Sequence, residues 1–61
     1  MSYIIYVKNS SMKRWAPLGH DRPVVNLFHA IMYGTRKAAQ YDMDGLVEAN
    51  PDAQFQIRRK G

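Results

Sequence analysis

Three stretches of this 61-residue chain hold residue types at spacings that chemistry could use. The first is Gly34-Thr35-Arg36-Lys37. If a helix begins here, free amides, the Thr35 hydroxyl and the cations of Arg36 and Lys37 converge, which suits an anion. The plainer alternative is a solvated surface turn that happens to carry two basic residues. The second stretch is Trp15 with Lys8, Lys13 and Arg14 around it. A tryptophan among cations can stack a base or a nucleotide ring. Its size also makes Trp15 the largest core or interface residue in a chain with little else to bury, and that reading is preferred.

The third stretch, His20-Asp21, has the form of a polarised acid–base pair. A catalytic pair needs an orienting third group and a nucleophile, and neither stands at a recognisable spacing. Both are read as polar loop residues, and no catalytic residue is assigned. Asp42-Met43-Asp44-Gly45 resembles the start of a calcium loop, but the later glutamate and the spacing are missing. The chain has no cysteine, which rules out a disulfide or a thiolate ligand, and two histidines are too few by themselves for structural zinc. No metal and no cofactor are expected.

The elements that must position these groups are clearest over residues 34–60. Thr35 is a good N-cap, because its hydroxyl can accept a bond from a free amide of the first turn. Ala39, Met43, Leu46 and Val47 then recur at helical spacing. Gly45 inside that helix costs roughly 1 kcal/mol relative to alanine. Arg36 and Lys37 at the helix start and Glu48 near its end oppose the macrodipole. Pro51 stops the helix and pushes Asn50 out of helical geometry. Over residues 53–58, Ala53, Phe55 and Ile57 alternate with Gln54, Gln56 and Arg58, the pattern of a half-buried strand.

Residues 3–7, Tyr-Ile-Ile-Tyr-Val, read as a first strand that is apolar on both faces. Asn9-Ser10-Ser11 is a turn, and residues 12–16 are expected to return as the second strand of a hairpin, ended by Pro17. Pro17, Gly19 and Pro23 punctuate a loop over residues 18–25. Residues 24–33 fit a helix face through Val24, Leu27, Phe28 and Ile31, but a strand over residues 29–33 gives the better sheet and is favoured. Arg58-Arg59-Lys60-Gly61 ends the chain as a short basic tail that can fray. The expected fold is α+β: a small antiparallel sheet of N-terminal hairpin, third strand and C-terminal strand, covered on one face by a single helix, in one domain spanning residues 1–61.

A domain this short buries a modest fraction of its surface and is marginal without help. Lacking staples, it is expected to self-associate, as a symmetric dimer with Ile4 and Tyr6 at the contact if Tyr3, Ile5 and Val7 face the helix. The formal charge is +4, and four of the five acids lie between residues 42 and 52. That split can steer an acidic partner or a nucleic acid, or serve only solubility. No run is long enough to span a membrane and no export signal is visible, so a cytoplasmic location is expected.

The order hairpin, strand, helix, strand, with Trp15-Ala16-Pro17-Leu18-Gly19, Gly34-Thr35-Arg36-Lys37-Ala38-Ala39 and Phe55-Gln56-Ile57-Arg58-Arg59, resembles the small accessory proteins encoded by bacteriophages. The likeness covers most of the chain, in size and style. It implies a protein that binds and blocks a host factor, in host cytoplasm, and assigns no functional residue.

Three functions follow as expectations. The leading one is a non-enzymatic inhibitor or modulator of a host protein, held through Ile4, Tyr6, Lys8, Lys13, Arg14, Trp15, Arg58 and Arg59. The next is a small basic nucleic-acid-binding protein; the binding is expected to be weak and strongly salt-dependent, too weak at physiological salt to be the function. In that case the cations of the hairpin and of the chain end form one surface only if the last strand lies beside the hairpin. The third is sequestration of an anionic small molecule or nucleotide at Thr35, Arg36 and Lys37. An enzyme is disfavoured, since a chain this small has little room for a pocket of about 300 Å³.

Overall fold

The first strand, β1 (Ser2–Lys8), lies at the centre of a three-stranded antiparallel sheet, with β2 (Ala16–Pro17) on one side and β3 (Gln54–Lys60) on the other. Among the described residues a single α-helix, α1 (Arg36–Ala49), connects β2 to β3. The computed structural model describes residues 2–19, 23–24 and 29–60. His20, Asp21, Leu27 and Phe28 therefore lie outside the described residues, as does half of the loop expected over residues 18–25. The α+β class, the antiparallel sheet and the single helix are as the sequence predicts.

Register fixes the two faces of the sheet. Ile5 is opposite Ile57 and Val7 opposite Phe55, while Ile4 is opposite Arg58 and Tyr6 opposite Gln56. Directly opposed residues share a face, and successive residues alternate. Tyr3, Ile5, Val7, Phe55 and Ile57 thus form the inner face, against α1, where Ala39 is fully buried. Met43 and Leu46 are half-buried on the same helix; Val47, expected to share that stripe, is 47% exposed. Ile4, Tyr6, Lys8, Gln54, Gln56, Arg58 and Lys60 form the outer face.

The helix ends are set by local chemistry. The Ala38 amide donates to Thr35 Oγ1 at 3.1 Å, the expected cap. At the other end, the Asn50 backbone amide and its Nδ2 both donate to the Leu46 carbonyl, at 2.9 and 3.0 Å, and Pro51 prevents another turn. No acid occupies the first turn and no base the last, so α1 runs against its dipole as its sequence implies.

Three details differ from expectation. The second strand is two residues long, and Met12, Lys13 and Arg14 lie outside it. Asn9 explains this locally: its Oδ1 accepts from the Ser11 amide at 2.9 Å, and its carbonyl accepts from the Met12 amide at 3.0 Å, so the turn consumes residues that a hairpin strand would have used. Pro17, rather than ending the strand, is part of it. The Leu18 amide bonds the Ile5 carbonyl at 2.9 Å, which makes the neighbouring Tyr6–Pro17 pair one in which the missing N–H would point away from β1.

The second difference concerns residues 29–33, which form no full strand. Tyr33 alone pairs, through reciprocal 2.9 Å bonds with Tyr3. Leu18 already uses the Ile5 carbonyl on that edge of β1, and Ile31 bonds Leu18 instead, at 3.2 Å. Only the Tyr3 end of the edge is left for the incoming chain. Third, β3 continues past Arg58, where the sequence alternation ends, and Arg58, Arg59 and Lys60 pair with Ile4, Tyr3 and Ser2.

Candidate interaction face

The outer face of the sheet gathers the sequence-predicted partner residues most closely. Tyr6 projects from β1, and Trp15 immediately precedes β2. Arg58 comes from β3 and crosses over β1: its guanidinium carbon lies 4.2 Å from the centre of the Tyr6 ring and 5.9 Å from that of Trp15. A cation over an aromatic face is attracted by the ring's quadrupole. Arg58 Nε also donates to Gln56 Oε1 at 3.0 Å, which orients the group. Tyr6 and Trp15 are half-buried, whereas Arg58 is exposed. Arg58 is therefore the most exposed of these three residues.

The rest of the predicted set divides. Lys8 is opposite Gln54 on the same face, and both line an open concavity of about 280 Å³ with Asn9, Ser10 and Asp52. Lys13 and Arg14 are exposed in the bend that precedes Trp15. Arg59 points to the inner side, opposite Tyr3, and so does not join Arg58. Ile4 is 1% exposed within the single chain, so it cannot offer the uncovered apolar contact on which the expected dimer rested.

Thr35, Arg36 and Lys37 do adjoin one another at the helix start. Thr35 Oγ1 is engaged as the cap, and Arg36 and Lys37 line a shallow concavity of about 430 Å³ with Gln40, Tyr41 and Asp44, so the expected lack of room for a space of about 300 Å³ does not hold. Gln40 Nε2 donates to Asp44 Oδ1 at 2.8 Å, so a carboxylate shares the space an anion would enter. Behind the sheet, Tyr33 donates its hydroxyl to Asp42 Oδ2 at 2.9 Å. Burial first, then that hydrogen bond and the carboxylate's charge, push the Tyr33 phenol up to about 12. Among the described residues no group of three or more His, Cys, Asp or Glu is placed to hold a metal ion, and no helix is long and apolar enough to cross a membrane.

No protein-family model, curated protein or solved structure matches the chain. The face itself therefore carries the functional argument. Sequence reasoning gave no role to Gln56, which orients Arg58, and read Lys60 as part of a basic tail where it shares the face of Arg58. The period-two spacing with Gln54 and Arg58 placed Gln56 on a polar side of a strand. What the spacing lacked was which strand lay next to it.

Proposed function

We propose that this is a non-enzymatic binding protein that holds single-stranded nucleic acid on the outer face of its sheet. The observation that carries this reading is the strand order β2-β1-β3, which brings Arg58 over Tyr6 and beside Trp15. It meets the condition under which hairpin and C-terminal cations share a surface. Lys8, Arg58 and Lys60 lie on one face, Lys13 and Arg14 stand at the hairpin end, and none of the three strands contains an acid. A cationic surface with planar groups is what a single strand needs, because phosphates give affinity and bases stack on any flat face. A duplex fits less well. Among the described residues the helix that could enter a groove, α1, carries Asp42, Asp44 and Glu48.

A second reading, a modulator of a host protein of the phage accessory kind, draws support from Tyr41 and Val47. They are 81% and 47% exposed on α1, where a protein partner could bury them. It predicts affinity that depends on those side chains and little on salt.

A salt titration of binding to a short labelled single strand separates the two. Log affinity is expected to fall linearly with log salt, by roughly 0.7 per phosphate contact. Arg58→Ala should weaken binding and lower that slope, and Arg59→Ala, on the other side of the sheet, should change little. Equal effects of the two substitutions, or salt-insensitive binding lost in Tyr41→Ala, would overturn the nucleic-acid reading.

A further inference from the structure

We infer that the flat surface presented to a base is the Arg58 guanidinium itself, with the Tyr6 ring as its support from below. The inference rests on the nucleic-acid reading and names how that site would work. Aromatic side chains are the usual stacking platforms for single strands. Here the Tyr6 face is already covered: the guanidinium lies 4.2 Å above its centre, Tyr6 is half-buried and Arg58 is exposed. A base arriving at this face meets Arg58 first.

The chemistry suits that role. A guanidinium is planar and delocalised, so one face can rest on an aromatic ring while the other accepts a base. Its donors lie in the plane, where they reach sideways to a phosphate without disturbing the stack. Nε is committed to Gln56 Oε1 at 3.0 Å, which fixes the rotation of the group and leaves recognition to the terminal amino groups. Trp15, 5.9 Å from the guanidinium carbon, stands at the margin of the same site. Lysine at position 58 would keep the charge but have no plane to offer.

The test compares wild type, Arg58→Lys and Arg58→Ala for binding to a labelled single strand of uridines across a salt series, with Trp15 fluorescence read in parallel. Trp15 is the chain's one tryptophan, so its quenching reports this site alone. Arg58→Lys is expected to bind about tenfold more weakly than wild type, with an unchanged salt slope and reduced quenching. Arg58→Ala should lose affinity and also about 0.7 of slope. If wild type binds and Arg58→Lys binds equally well with equal quenching, the guanidinium ledge is wrong while the nucleic-acid reading stands. If wild type fails to bind at low salt, both fall. Should circular dichroism show that Arg58→Lys has lost its fold, Gln56→Ala decides, since Gln56 is exposed and the substitution leaves the charge intact. It should bind about threefold more weakly, and wild-type affinity in that variant would overturn the inference.

Discussion

Tyr33 ties three parts of the chain together. Its backbone bonds Tyr3 of β1, and its hydroxyl bonds Asp42 of α1. Its phenol is raised from 10.0 to about 12, chiefly by burial. A group whose pKa is higher folded than unfolded contributes stability that is whole below the unfolded value and is lost as pH rises through the folded one. Tyr33 should therefore give a stability loss between pH 10.0 and about 12. Urea melts at about pH 9 and about pH 11.5 are expected to show a smaller drop for Tyr33→Phe than for wild type. Identical drops would remove Tyr33 from the account.

Gly45 makes the opposite kind of prediction. It is interior to α1, yet a Cβ built on it would meet nothing within 4 Å. No close approach demands glycine there. Gly45→Ala should raise stability by roughly 1 kcal/mol, the helix-propensity difference. A thermal melt that moves downward would mean that the open space beside Gly45, lined by Leu18, Ile31, Tyr33 and Leu46, is needed.

At the scale of elements, β1 is the strand on which the sheet depends. Ile4 and Ile5 point to opposite faces and both are 1% exposed, so the chain covers β1 on its two sides. Full burial of such a side chain contributes about 1.5–3 kcal/mol. For a small domain, that is a large part of the total. Ile4→Lys would leave an unpaired charge in an apolar site. It is expected to abolish the circular-dichroism signature of the fold at room temperature. A folded Ile4→Lys with altered oligomeric size would instead restore the dimer contact that the sequence suggested.

The elements were legible where their causes are local. Thr35 and Asn50-Pro51 bound α1 by capping and by steric exclusion, and the alternation of Phe55 and Ile57 with Gln54 and Gln56 marks β3 without reference to anything distant. Elements whose causes are pairings were not legible. Residues 29–33 look like a strand, but the edge they would join is already taken by Leu18. Residues 12–16 look like one too, but the Asn9 turn absorbs Met12. The residues of the candidate site were named from the sequence, but the same limit hid which of them meet. Arg58, Tyr6 and Trp15 come from three separate parts of the chain, and only strand order joins them.

Charge is unevenly divided across the sheet among the described residues. Asp42, Asp44 and Glu48 lie on α1, while Lys8, Arg58 and Lys60 occupy the far side of the sheet. Asp52 shares a concavity with Lys8, and Arg36, Lys37 and Arg59 put positive charge on the helix side. An approaching polyanion is thus offered two basic regions, one flat and aromatic, the other a helix end shared with Asp44. Amide chemical-shift mapping on adding a short single strand at low salt distinguishes them in one measurement. Shifts confined to Tyr6, Lys8, Trp15, Gln56 and Arg58, with the amides of Ala39 to Leu46 unmoved, are the predicted result. Shifts centred on Thr35, Arg36 and Lys37, or none above the noise, would contradict the claim that the sheet face is the binding surface.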